Sequence, residues 1–565
     1  MGSQTGAVQT VRDRVVAIPR WLPSFSSLAF LLPVVLLYWQ LGGPSSLLTD
    51  PSTGVHVRTG DWILAHHAVR HHDLFSFSLG NKRWCDWEWL SDAVFSILHR
   101  WHGLPAVAAF SVVLLCFTSL LVYRAARLAA GRTVAFGVSC LVMATSTIHW
   151  LARPHLFTWL LLALFCRVLQ KAETQESGKW LLTFPVLMIL WVNLHPGFVA
   201  SLLVLCLYCG GSTLEVFKNR DAKERLNAIR RVRCSGWALA ACALATLVNP
   251  YGLHLHQHIA SYLLSSSSVT AHVAEWLPPD FRNPRLHWFE LYLPVAGAAA
   301  LWHGTRRRFR WCFLMLGFLH LALVSVRNVP LFAIVSAAPV AWAAEEWLSQ
   351  GEWRRHLREA EVVLAFRRAR IGDVFIYAFA CAALAGILCM KPLGFGPRAS
   401  LPVEAIENLP AGRLFTTDRW ADYLIYTQPD CKVFFDGRND FYGPDFVKDY
   451  LTVMRAEPGW QRIMERYALT VALVPTGSAI TAALSTSGDW RMVYHDSIAS
   501  VFVKKAPVGG VDASLKCPQP RNMIISLPRG GNGRRFSRGS RTSRSLPALR
   551  RARPRCLAGI RPKAH

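Results

Sequence analysis

Thr49–Leu90, TDPSTGVHVRTGDWILAHHAVRHHDLFSFSLGNKRWCDWEWL, gathers acids, histidines, arginines and tryptophans between two long apolar runs that hold almost none of them. A polar connection of about 55 residues between such runs is too long to serve only as a link. Within it, Val55, Thr59, Trp62, Ile63 and His66 recur at helical spacing, with Arg58 and Asp61 off that face. The pattern predicts a short amphipathic helix lying in a membrane interface.

Working outward, the apolar runs set the fold class. Of the 565 residues 52% are hydrophobic and 17% charged, and the mean hydropathy is +0.25. About eleven runs approach membrane-spanning length, near 26–48, 105–124, 132–150, 155–171, 180–194, 197–214, 235–250, 287–303, 310–326, 328–346 and 372–391. The expected fold is mainly α, a polytopic transmembrane helical bundle over 26–392. The net charge of +27 follows from topology. With residues 1–25 cytoplasmic, every strongly basic loop falls on one side: Arg124/Arg127/Arg132, Arg167/Lys171/Lys179, Lys218–Arg233, Arg306–Arg310 and Arg354–Arg370. Arg12, Arg14 and Arg20 ahead of Leu28–Leu41 read as an uncleaved signal anchor. The expected location is a bacterial-type inner membrane, crossed many times.

From about 400 to 505 the pattern changes to short β-rich runs at Leu414–Thr416, Val433–Phe435, Val471–Val474 and Val501–Val503. Helical stretches alternate with them, predicting a small α/β extracytoplasmic domain. Residues 507–565 are rich in Arg, Ser, Gly and Pro and read as a basic disordered tail. Its RGGNGR run lacks the Gly-Lys-Ser/Thr of a phosphate-binding loop, and a nucleic-acid partner is not expected. Of the fourteen cysteines, Cys206 and Cys209 form a CxxC inside an apolar run, and most of the others sit singly inside such runs. Cys85 and Cys431 share the external side, but nothing in the sequence pairs them.

The polar residues of the external loops form candidate sites. Asp50 stands where the first run meets the loop, and Pro51 is expected to stop the helix there. Its carboxylate suits a general base, or a ligand for a divalent cation, the one cofactor the sequence raises. Trp84-Cys85-Asp86-Trp87-Glu88-Trp89 alternates acids with tryptophans, which suits an interfacial belt or a surface for stacking sugars. Arg153, His155, His195 and Arg327 place cations at the ends of runs on the less basic face. There they would clamp a lipid-borne phosphate or snorkel. His66-His67 with His71-His72 has loose spacing for a metal. Phe435-Asp436-Gly437-Arg438 follows an expected strand and fits a ligand turn or a tight turn with an ion pair.

Asp50, His56, Gly60-Asp61-Trp62-Ile63, Asp73-Leu74-Phe75, Trp87-Glu88-Trp89-Leu90, Arg153-Pro154-His155, Asn193-Leu194-His195-Pro196-Gly197, Asn249-Pro250-Tyr251-Gly252 and Asp436-Gly437-Arg438 together carry a resemblance. The chain resembles a bacterial branch of the polytopic GT-C-type glycosyltransferases, in the dolichyl-phosphate-mannose–protein mannosyltransferase superfamily. The resemblance covers about 26–505. It implies an inverting hexosyltransferase of the cell envelope that uses a polyprenyl-phosphate sugar and a glycan, lipid or protein acceptor. On it Asp50 takes the catalytic position, with Glu88 orienting. His56, Asp86, Trp87, Arg153, His155, Asn193, His195 and Arg327 become candidates for binding substrate. The chain departs from the family by offering Asp50-Pro51 where paired acids are common. The alternative is a non-catalytic transport or assembly protein for lipid-linked envelope glycans.

Overall fold

Apolar runs bounded by Gly and Pro become helices here because a bilayer leaves the backbone only its own carbonyls to bond. A computed structural model of the chain describes residues 23–264, 274–350, 371–390, 393–396 and 400–505. The expected N-terminal anchor arginines, the Arg354–Arg370 loop and the 507–565 tail lie outside the described residues. Each apolar run contains a helix: Phe25–Trp39, Trp89–Ala126, Arg132–Ser146, His155–Thr174, Phe184–Leu194, Val199–Lys218, Ala222–Ala245, His287–Thr305, Phe309–Val324, Val329–Ser349 and Ile371–Cys389. Among the described residues, five helical stretches are long and apolar enough to cross a membrane: Trp89–Ala126, His155–Thr174, Pro196–Lys218, Val326–Ser349 and Ile371–Cys389.

Two boundaries differ from expectation. The first run does not continue to residue 48. Its helix ends at Trp39, Gly42 and Gly43 follow at φ 76° and 106°, and Pro44–Leu48 forms a 3-10 turn. Pro51 therefore stops no helix. It precedes Ser52–His66 and accepts from Gly54 N–H at 2.7 Å, in keeping with proline's fixed φ at a helix start. The second boundary lies in Trp89–Ala126, which is broken at His102 (φ −152°) and Gly103 (φ 66°).

The Ser52–His66 helix forms as expected but does not lie on an interface by one face. Val57 and Thr53, off the expected apolar stripe, are as buried as Val55 and Ile63. One side packs on Trp89–Ala126, where a Cβ at Gly60 would stand 2.0 Å from the Asp92 carbonyl oxygen. Another side meets the helix Asp418–Thr427, where a Cβ at Gly54 would stand 2.5 Å from Tyr426 Cβ. Arg58 Nε donates to the Tyr426 carbonyl at 2.9 Å, and Asp61 accepts from Arg58, Ser96 and Arg100.

The C-terminal sheet contains β1 (Leu414–Thr416), β2 (Val471–Pro475), β3 (Trp490–His495) and β4 (Ala499–Lys504), in the order β1-β2-β4-β3. β1 and β2 are parallel, and the other pairs are antiparallel. Side chains alternate across a strand. Val471 and Leu473 accordingly join the core that continues into the helical bundle, while Ala472 and Val474 join a separate aromatic core with Phe415, Phe434 and Phe446.

The expected strand Val433–Phe435 is not one. Val433 makes a single bridge to the loop, donating to Phe75 O at 2.9 Å and accepting from Phe77 N–H at 3.1 Å. Phe434 and Phe435 are apolar because they fill the aromatic core. β3 escaped notice because its side chains are mostly exposed, leaving no alternation to read.

Candidate functional site

The turn after the first helix and the turn before His155 are laced together. Ala152 N–H donates to Leu47 O at 2.7 Å, and Thr53 Oγ1 donates to Ala152 O at 2.9 Å. This lacing sets Arg153 against Asp50, whose Oδ2 accepts from Arg153 Nη1 at 3.1 Å while Oδ1 accepts from Ser52 N–H at 3.0 Å. Arg153 also faces Glu275 at 3.5 Å. The same Glu275 lies 3.3 Å from His149 Nε2 and 3.8 Å from Arg327 Nη1. Glu275 is placed in turn by the Ser325–Asn328 turn, which bonds Glu275 O through Ser325 Oγ and Leu277 O through Val326 N–H.

Glu88 caps the other side of the site, immediately before Trp89–Ala126. Its Oε1 lies 3.2 Å from His195 Nε2 and its Oε2 3.7 Å from His56 Nδ1. His195 is held in one tautomer. Its Nδ1 accepts from Gly197 N–H at 2.9 Å and meets the Thr158 hydroxyl at 2.9 Å, so the proton sits on Nε2 and points at Glu88. Trp191 Nε1 donates to Thr158 and fixes that hydroxyl. His56 Nδ1 is also 2.8 Å from Asp92 Oδ1.

Electrostatics separate these carboxyls. Burial pushes Glu88 up to about 7, against the opposing charge of His56 and with the acids Asp92 and Asp86 adding to the rise. Glu275 goes the other way: burial opposes its charge, yet Arg153, Arg327 and His149 hold it down at about 2. Asp86 is pushed well above the carboxylate range by burial and by Asp92 beside it. Burial lowers His56, and it lowers His149 to about 4. Burial works against the Arg153 charge too, but Glu275, Asp50 and Glu88 more than offset it and its pKa is raised.

Asp50, His56, Glu88, Arg153, His195 and Arg327 thus meet in one cluster. Asp86 sits behind it, its backbone N–H on the Tyr251 hydroxyl at 2.9 Å. His155 lies one layer back, its Nε2 on His149 O at 3.1 Å. Trp87 flanks the cluster, packed 4.9 Å from the His258 ring. Asn193 is scaffold: Oδ1 accepts from Trp89 Nε1 at 3.0 Å and Nδ2 donates to Ile189 O and Val248 O at 2.8 Å.

Asp92, His149 and Glu275 are site residues that the sequence patterns above do not single out. Asp92 had a signal, since it lies four residues after Glu88 and so on the same helical face. Asp436 and Arg438 do form a pair, with Arg438 also reaching Asp73 of the loop at 2.8 Å, so this turn ties the C-terminal region to the loop.

Among the described residues no group of three or more His, Cys, Asp or Glu side chains is placed to hold a metal ion. Asp50 is taken up by Ser52 and Arg153, and Glu275 by its cations. His66 stacks on Trp62 with its Nδ1 at Trp62 O. Cys85 and Cys431 are both buried.

No protein-family model matches the chain, and no curated protein matches it. Solved structures do. The crystal structure of the Archaeoglobus fulgidus oligosaccharyltransferase, tethered to an acceptor peptide with an NVT sequon, aligns with a TM-score of 0.51 at 11% identity over 86% of this chain and 74% of that one. The archaeal oligosaccharyltransferase AglB from the same organism, in complex with an inhibitory peptide and a dolichol-phosphate, aligns with a TM-score of 0.50 at 12% identity over 80% and 69%. The chain therefore has a fold similar to that of these oligosaccharyltransferases.

Proposed function

We propose that the protein is a membrane glycosyltransferase of the bacterial GT-C type that moves a sugar from a polyprenyl-phosphate to an acceptor hydroxyl or amide outside the cytoplasm. The observation that carries this reading is the convergence of Asp50, Glu88, Arg153, His195, Glu275 and Arg327, from separate segments, on one cluster of opposed charges at the ends of apolar helices. The similar archaeal fold, solved with dolichol-phosphate in one case and an acceptor peptide in another, supports it.

In the reaction the acceptor atom attacks the anomeric carbon as the bond to the phosphate oxygen breaks. The acceptor proton passes to Glu88, and the lipid keeps the phosphate as an anion. Glu88 fits the proton better than Asp50 does. A base works best with a pKa near ambient pH, and Glu88 is held at about 7. Asp50 instead carries an ion pair and a backbone bond. Arg153 and Arg327 face the growing negative charge of the leaving phosphate, held apart and aimed by Glu275.

The test is sugar transfer from polyprenyl-phosphate donors by the purified full chain in reconstituted membranes. Glu88→Gln is expected to lower turnover about 10²–10⁴-fold, the contribution of a positioned base. Asp50→Asn should cost less and act mainly through Arg153. Arg153→Ala and Arg327→Ala should each weaken transition-state stabilisation by about 2–4 kcal/mol. A wild-type protein that transfers no sugar from any such donor, or a fully active Glu88→Gln, overturns the reading.

A further inference from the structure

Trp87, from the opening loop, and Tyr262 and Trp276, from one later connection, stand in one row. The Trp87 and Tyr262 rings meet edge to face with centroids 5.7 Å apart, and Tyr262 meets Trp276 in the same way at 5.7 Å. One end of the row touches the cation cluster, where the Arg327 guanidinium lies 4.3 Å from the Trp276 centroid. The other end reaches the C-terminal region: His258 packs 4.9 Å from Trp87, and its Nε2 is 3.1 Å from Asp440 Oδ2.

Packing alone accounts poorly for this row. All three rings are half-buried. Among the described residues no hydrogen bond takes up the Trp87 or Trp276 indole N–H or the Tyr262 hydroxyl. The neighbouring indoles of Trp89 and Trp191, by contrast, are bonded to Asn193 and Thr158. Amphipathic rings with unused polar tips, ending on a carboxylate–imidazole pair, have the composition of a ligand wall: mostly aromatic, with a few placed polar groups.

We propose that this row binds a glycan of two or more sugars, laid from the Arg153–Arg327 end toward Asp440. The ring faces would take the C–H faces of the sugars, and Asp440 with His258 would take the hydroxyls of the far unit. The choice of a glycan as ligand rests on the glycosyltransferase reading. The row begins beside the cations assigned to the donor phosphate, so it selects the donor's chain length: a single sugar on phosphate would leave the Trp87 end empty.

The experiment is binding of the purified full chain in detergent to an array of bacterial envelope oligosaccharides printed beside their constituent monosaccharides. At least one oligosaccharide is expected to be retained in preference to its monosaccharides. Trp87→Ala and Tyr262→Ala should each lower that retention by about tenfold, and Trp87→Phe should restore most of it. Glu88→Gln should bind as the wild type does, since it removes a base and not the wall. Thus a wild-type protein that retains the glycan yet transfers no sugar overturns the function and leaves the wall standing. No preference for any oligosaccharide, or equal retention by Trp87→Ala and Tyr262→Ala proteins that elute as the wild type does, overturns the wall.

Discussion

Glu88 is a carboxyl whose environment, more than its identity, decides its chemistry. His56, Asp92, Asp86, Arg153 and His195 all face it, and burial sets its value near 7. Transfer needs the carboxylate, so the rate should rise with pH through about 7 and be lost below it. The Arg153 charge lowers the Glu88 value, so Arg153→Gln should move that limb to higher pH. A pH–rate profile of kcat/KM for the two proteins checks both expectations; a limb that stays in place without Arg153 contradicts the coupling. None of this was legible in the chain. Asp50 and Glu88 look alike as acids in a polar loop, and their difference depends on Arg153, far along the sequence, and on how much water each retains.

At the scale of elements, the helix Ser52–His66 shows what the pattern can and cannot say. Helical spacing located it, but spacing marks one apolar face, whereas this helix is covered on two. The covering is close enough that glycine is required. A Cβ at Gly60 would lie 2.0 Å from a backbone oxygen and 2.7 Å from Ser96 Cβ, so the helix would have to move off Trp89–Ala126. Gly60→Ala should therefore destabilise the protein by about 1–3 kcal/mol or more. Gly137, exposed on its helix with nothing within 4 Å, provides the control. There Ala should be neutral or stabilising by about 0.4–1 kcal/mol. Thermal unfolding in detergent, followed by tryptophan fluorescence, compares the two. Val433–Phe435 fails for a related reason: a run of apolar residues reads the same whether it pairs in a sheet or fills an aromatic core.

At the scale of the molecule, the charges sort into two ends. Asp50, Arg153, Glu275 and Arg327 meet at one. At the other, Arg310 and Arg231 reach Glu215 at 2.7 and 2.9 Å, and Arg310 also pairs with Glu173. That second network draws together residues beside the basic loops near 171–179, 218–233 and 306–310, which the sequence had assigned to one side from their charge alone. We expect a reporter fused after Lys505 to be active only outside the cytoplasm, and one inserted near Arg220 only inside. The reverse pattern at either position would separate the site from the external face. The apolar runs and the gathering of odd polar turns were legible because composition and sign survive without coordinates. The pairing of particular side chains was not, since it depends on loops whose paths no spacing fixes.

The break at His102 and Gly103 divides one long rod into two. Above it, Ser96 and Arg100 hold to Asp61 and His99 holds to Tyr426, so this part is tied to the loop and the C-terminal region. Below it, Leu104–Ala126 belongs to the bundle, and His102 itself bonds Leu388 O on the last described apolar helix. An unbroken rod would fix the directions of its two ends to each other. A jointed one does not: the upper arm takes its bearing from the loop, the Asp418–Thr427 helix and the helix ends at Asn193 and Leu194, and the lower arm takes its own from the bundle.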